Sequence, residues 1–206
     1  IKTLDSMKPK FAPDKRTKLL ELVKSDVKNN SYTIQTTEND VIPFLNKELQ
    51  NYNANIQFKL LPDSSVQDKK HGIIILSVAN LRTKPGHDEE MATQILLGTQ
   101  VDILQKEKGE FRVRTPEGYI AWVPTASVAQ MNDIEIQKWK ASPKVIYTNE
   151  FGKSYSKPDT KSLRVSDLVY GNILKLVSSN KKFFHVQYPD GRDAYIPKDE
   201  ATTFDN

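Results

Sequence analysis

Phe111-Arg112-Val113-Arg114-Thr115-Pro116-Glu117-Gly118-Tyr119-Ile120-Ala121-Trp122-Val123-Pro124 is written a second time in this chain, as Phe184-His185-Val186-Gln187-Tyr188-Pro189-Asp190-Gly191-Arg192-Asp193-Ala194-Tyr195-Ile196-Pro197. Each copy reads as an aromatic and β-branched strand, a tight turn of Pro, acid and Gly, and a closing strand that ends at a proline. Outward from this block the correspondence continues. Lys84-Pro85 returns as Lys157-Pro158 and Gly98 as Gly171, always 73 residues later and without a gap. Chance does not hold one offset over that span, so the two stretches are expected to share one fold.

The rest of each copy follows the same grammar. A first strand leads into a long turn-rich loop (80–91, then 150–164), and Gly98 or Gly171 precedes an alternating strand. Short strands punctuated by Gly and Pro are the mark of small barrels, and the order here predicts a five-stranded one. Between the copies, Asn132 with Glu135 makes a variant capping box, which opens a connecting helix containing Trp139 and stopped by Pro143.

Upstream, Pro9 and Pro13 bracket a polar entry segment. Leu19, Val23 and Val27 fit either a helical face or one side of a strand, so 17–28 reads as helix or hairpin. The turn chemistry of Lys28-Asn29-Asn30-Ser31 favours the hairpin, with a strand over 31–37. Val41, Phe44, Leu45, Leu49 and Tyr52 follow the helical period, and Ile56, Phe58 and Leu60 alternate as a strand closed by Pro62. Ser64–Lys70 is polar and reads as a linker. The expected fold class is therefore mainly β: two tandem small β-barrels preceded by a small α+β domain. The expected divisions are 1–70 for the α+β unit and linker, 71–131 for the first barrel, 132–143 for the connecting helix and 144–206 for the second barrel.

Composition removes several functions. The 206 residues carry 30 Lys and Arg against 26 Asp and Glu, with charge spread so evenly that no segment forms the basic stripe needed by a nucleic-acid binder. With no cysteine there is no disulfide framework, thiolate metal site or cysteine nucleophile. The longest apolar runs, Ile73–Leu76 and Ile95–Leu97, fall far short of the ~20 residues of a membrane span. The first residue is Ile1, consistent with removal of an upstream segment by a signal peptidase or by cloning.

Asn80-Leu81-Arg82 and Gly118-Tyr119-Ile120-Ala121-Trp122-Val123 make the first copy resemble the bacterial SH3-like domain, SH3b. The second copy departs, with no Asn-Leu-Arg and with Arg192 and Tyr195 in place of the Tyr and Trp. The series Lys10-Phe11-Ala12-Pro13-Asp14-Lys15-Arg16, Leu60-Leu61-Pro62-Asp63 and Ser77-Val78-Ala79-Asn80-Leu81-Arg82 extends the likeness. So do Tyr188-Pro189-Asp190-Gly191-Arg192 and Ala194-Tyr195-Ile196-Pro197. Together they resemble the amino-terminal, non-catalytic half of exported NlpC/P60 cell-wall peptidases of the dipeptidyl-peptidase VI type, frequent in Bacteroides-type bacteria.

The resemblance implies an exported protein of the periplasm or cell envelope, with peptidoglycan or muropeptide stem peptides as partners. It also implies a catalytic peptidase domain after the second SH3b, cleaving γ-D-glutamyl bonds with a Cys nucleophile and a His base. The chain stops at Asn206, where that domain is expected, and no position exists to receive those residues. The resemblance further implies that the first SH3b helps to read the free amino end of a stem peptide.

The ligand-binding candidates are accordingly Asp88, Glu89 and Glu90, as carboxylates for an amine, and Tyr119 and Trp122, as an aromatic wall. They are expected at one end of the first barrel. A solvated acidic loop competes with the first assignment, and a place in the barrel core competes for Trp122. His71, His87 and His185 lack ligand spacing, and no Ser-His-Asp or paired-carboxylate pattern appears, so neither a metal, a cofactor nor catalysis by this chain is expected. Three functions remain: a peptidoglycan-binding module, the targeting half of a cysteine peptidase, and a scaffold that binds a protein partner through sheet edges.

Overall fold

The computed structural model describes residues 2–204; the last two residues of the expected second barrel lie outside it. The chain opens with helix α1 (Lys2–Phe11), strands β1 (Leu20–Asp26) and β2 (Ser31–Thr36), helix α2 (Val41–Leu49) and strand β3 (Asn55–Leu60). Strands β1 and β2 form an antiparallel hairpin through Asn30, whose φ of 48° is the left-handed conformation that Asn tolerates. Strand β3 joins β2 in parallel after the α2 crossover. Leu4, Leu20, Ile34, Val41 and Leu45 form the core of this sheet and its helices. The entry segment, for which no element was expected, is thus a helix. Leu4, Met7 and Phe11 share one face and pack into this core, a stripe too sparse to stand out among polar neighbours and Pro9.

The first barrel comprises β4 (His71–Ile74), β5 (Val78–Arg82), β6 (Met91–Leu96), β7 (Gln100–Glu107), β8 (Glu110–Arg114), β9 (Ile120–Pro124) and β10 (Val128–Met131), in sheet order β10-β4-β7-β8-β9-β5-β6. Helix α3 (Asp133–Ala141) follows, opened by the full capping box of Asn132 and Glu135. The second barrel comprises β11 (Lys144–Tyr147), β12 (Phe151–Tyr155), β13 (Arg164–Val169), β14 (Ile173–Ser179), β15 (Phe183–Gln187), β16 (Asp193–Pro197) and β17 (Ala201–Phe204). Its order, β13-β12-β16-β15-β14-β11-β17, is that of the first barrel strand for strand. Even the bulges repeat, after Ile103 and Leu176 and after Leu81 and Ser154. Phe111 and Val113 lie in one core, Phe184 and Val186 in the other. Each barrel has seven strand segments where five were expected, because the ends of the turn-rich loop pair as a hairpin and leave only 83–90 and 156–163 open.

The units are joined by side chains rather than tethered. Ser64–Lys70 is no free linker: it makes a 3-10 turn that buries Val66 in the first core, and the Ile103 amide donates to the Lys70 carbonyl at 2.8 Å. Leu97, at the β6–β7 turn of the first barrel, is fully buried in the core of the second. The Ile173 amide donates to the Leu97 carbonyl at 3.0 Å, and buried Asn172 donates from Nδ2 to the Ser77 carbonyl at 2.8 Å. Gly98 lies at this junction with φ +88°, and a Cβ there would stand 2.3 Å from the Ile173 carbonyl oxygen. Trp139 and Ile136 of α3 pack on Ile73 and Met131, closing the other side of the first barrel.

Candidate functional site

Side chains alternate across a strand, so Ala121 and Val123 of β9 enter the first core while Trp122 points out. Its neighbours in register are Arg112 on β8 and Arg82 on β5. The Arg112 guanidinium lies 5.3 Å from the Trp122 ring and pairs with Glu21 of β1 at 3.1 Å. Gln35 of β2 donates to the Gln105 side chain at 3.1 Å, so the back of the α+β sheet covers this face of the barrel. Trp122, 6% exposed, is therefore neither an open wall nor a member of the barrel core. It braces the joint with the α+β unit.

Tyr119 sits differently. Gly118, with φ +89°, turns the chain between β8 and β9, and the Thr115 amide donates to the Tyr119 carbonyl at 2.9 Å. The half-buried ring borders a recess of about 290 Å³ together with Thr93, Gln94, Thr99, Thr115 and Glu117. Arg16 reaches over the ring, 5.8 Å from its centroid. Asp14 holds that guanidinium at 2.8 Å, and the pairing draws the Asp14 carboxyl down to about 2. Thr115 is 5% exposed, and its Oγ1 has no hydrogen-bond partner among the described residues. The recess thus offers an aromatic ring, neutral hydroxyl and amide groups and one carboxylate.

Asp88, Glu89 and Glu90 lie on the 83–90 loop, with Glu89 3.7 Å from the Lys84 ammonium. The same end of the barrel carries Glu110, which no motif in the sequence singles out. It is buried at the start of β8; burial pushes its carboxyl above the usual range, against the opposing pull of His87 and Arg82. The β8–β9 ladder runs from Glu110 opposite Pro124 to Arg114 opposite Ile120, four steps or about 13 Å. The acidic loop stands at the first end and Tyr119 beyond the second. The expected single site between them does not form, because the hairpin that carries Tyr119 projects from the opposite end of the ladder.

The three histidines stay apart, and no group of carboxylates and histidines among the described residues could hold a metal ion. His71 bridges Asp133 at 2.9 Å and Asp102 at 3.6 Å. His185 stacks on Tyr195 at 4.7 Å and faces Asp193 at 3.3 Å and Ser178 at 3.5 Å. The Ser178 contact is at the outer limit of a hydrogen bond and lies on an exposed strand surface. Among the described residues, no helix is long and apolar enough to cross a membrane.

Residues 81–128, most of the first barrel, match the family model described as the bacterial dipeptidyl-peptidase SH3 domain. No curated protein matches the chain. Among solved structures it is similar to an NlpC/P60 family protein from Bacillus cereus, with 23% identity, a TM-score of 0.54, and coverage of 65% of this chain and 56% of that one. It is also similar to an NlpC/P60 endopeptidase from Photobacterium damselae subsp. piscicida, with 18% identity, a TM-score of 0.48, and coverage of 70% and 35%. The chain thus spans about half the length, or less, of these NlpC/P60 proteins. In its first barrel it is similar to the SH3 domain of bacterial dipeptidyl peptidases, and in fold to an NlpC/P60 protein.

Proposed function

We propose that this chain is a non-catalytic, exported module of the cell envelope that binds peptidoglycan through its first barrel. The observation that carries this reading is the match of residues 81–128 to the SH3 domain of bacterial dipeptidyl peptidases, over the stretch that lines the Tyr119 recess. That recess takes a neutral part of a muropeptide, with Tyr119 as its aromatic contact. The acidic end, with Asp88, Glu89, Glu90 and buried Glu110, takes an amine. Trp122 contributes by holding Arg112 and the α+β unit in place.

Neither place is deep, and an exposed carboxylate beside an amine contributes up to ~1 kcal/mol. A stem peptide is therefore bound with a Kd of roughly 0.1–1 mM, for which ~4–5.5 kcal/mol suffices. Incubation of the chain with purified sacculi at low salt, followed by sedimentation, is the test. Retention on the pellet, reduced in Tyr119→Ala, is expected; no retention overturns the proposal.

The second reading, favoured by the NlpC/P60 likeness, makes this the targeting part of a γ-D-glutamyl endopeptidase whose catalytic domain lies outside these residues. With no cysteine in the chain, thiol reagents label nothing and stem peptides are released uncut. Turnover by the purified chain would contradict both readings.

A further inference from the structure

Ser178, His185, Tyr195, Tyr155 and Arg164 stand in register on β14, β15, β16, β12 and β13, a row crossing five strands of the second barrel. At ~4.8 Å between strands the row is about 19 Å long. Its counterpart, 73 residues earlier, is Gln105, Arg112, Trp122, Arg82 and Met91. The α+β unit lies over that first row. Glu21 reaches Arg112, Gln35 reaches Gln105, and Leu19 and Leu61 pack on Leu104 beside Ile120.

Among the described residues, no unit covers the second row in this way. Val177, in the place of Leu104, is 46% exposed where Leu104 is 2% exposed. Ser178 is exposed where Gln105 is buried, and exposed Asp193 stands where the first barrel has Ile120. The rings remain. His185 and Tyr195 stack with centroids 4.7 Å apart and planes 15° apart, and both are half-buried, as is Tyr155. Polar groups flank them: the Asp193 carboxylate 3.3 Å from His185, the Ser178 hydroxyl 3.5 Å from it, and Gln187, which accepts from Lys175 at 3.1 Å.

These exchanges say what the row can take. Leu104 and Ile120 seal a joint between two protein units in the first barrel. A protein laid on the second row would instead bury the Asp193 carboxylate, a costly step in an apolar joint. A sugar suits it better, because its apolar C–H faces are rimmed by hydroxyls. Aromatic rings take the faces, carboxylate, amide and hydroxyl groups take the rim, and water remains at the edges. We infer that this row is a carbohydrate-binding face, which takes an uncharged oligosaccharide laid across the strands. It goes beyond the wall binding proposed for the first barrel and uses none of the same residues.

Amide shift mapping of the full chain with tri-N-acetylchitotriose, a sugar without peptide or charge, tests it. Shifts are expected at 155, 177–178, 185–187 and 193–195, equal at low and high salt because no net charge is recognised. Tyr195→Leu, which keeps an apolar side chain and removes the ring, should bind about tenfold more weakly. Asp193→Asn, a change at an exposed position, should weaken binding several-fold with an unchanged melting midpoint. No shifts on this row, loss of binding at high salt, or full affinity in both variants would overturn the site. So would shifts on this row that grow with protein concentration in the absence of sugar, since a second copy would then be the cover. Shifts confined to 93–99 and 115–119 would support the first barrel alone and count against this face.

Discussion

Leu97 and Tyr170 occupy the same place in the two repeats, yet one is fully buried in the neighbouring barrel and the other is 66% exposed. Truncation should separate them. Leu97→Ala removes a core side chain and should cost ~2–5 kcal/mol in denaturant unfolding, whereas Tyr170→Ala should stay within ~0.5 kcal/mol. Equal effects would show that the barrels do not share a core. Glu110 gives a second test at this scale. Its folded-state pKa is raised above the unfolded value by burial, so the stability attached to its protonated form is present at low pH and lost as pH rises through the folded value. Glu110→Gln should therefore be more stable than the parent chain at pH 7. That difference should shrink to nothing below the ordinary glutamate range of ~4.3. A constant difference across pH would contradict the assignment.

At the scale of elements, the connecting helix rests on its cap. Asn132 Oδ1 accepts from the Glu135 amide at 2.9 Å and the Glu135 carboxylate accepts from the Asn132 amide at 2.8 Å. Asn132→Ala should lower stability by ~1 kcal/mol, read as a lower melting midpoint. This helix, the β1–β2 hairpin and the repeat of strands were legible because capping, turn chemistry and alternation are local codes carried by adjacent residues. Helix α1 was hidden because three apolar side chains among charged neighbours acquire meaning only against the sheet they cover. Trp122 misled for a related reason: alternation puts it outside the barrel, but only the α+β unit packed over Arg112 decides whether outside means solvent. The candidate site was legible in its parts and not in its assembly. Which end of the β8–β9 ladder faces the 83–90 loop is a matter of register between distant strands, and nothing in Asp88, Glu89, Glu90 or Tyr119 encodes it. Glu110 left one sequence signal, a carboxylate where the second copy has Phe183.

The whole molecule is three units bolted together by side-chain contacts: the partly buried pair of Glu21 with Arg112, Leu97 in the second core, and Trp139 against the first. Within the first barrel, the β8–β9 ladder keeps the Tyr119 recess and the acidic end about 13 Å apart. The repeat supplies the scaffold twice, and the loops give each copy a different charge. Amide shift mapping of the full chain with a purified disaccharide-tripeptide muropeptide asks whether the first barrel is the wall-binding surface. Perturbations in 93–99 and 115–119, with a Kd of roughly 0.1–1 mM that weakens in Tyr119→Ala, are the predicted result. A map in which neither the Tyr119 recess nor the 83–90 loop responds, or in which Tyr119→Ala binds unchanged, would contradict it.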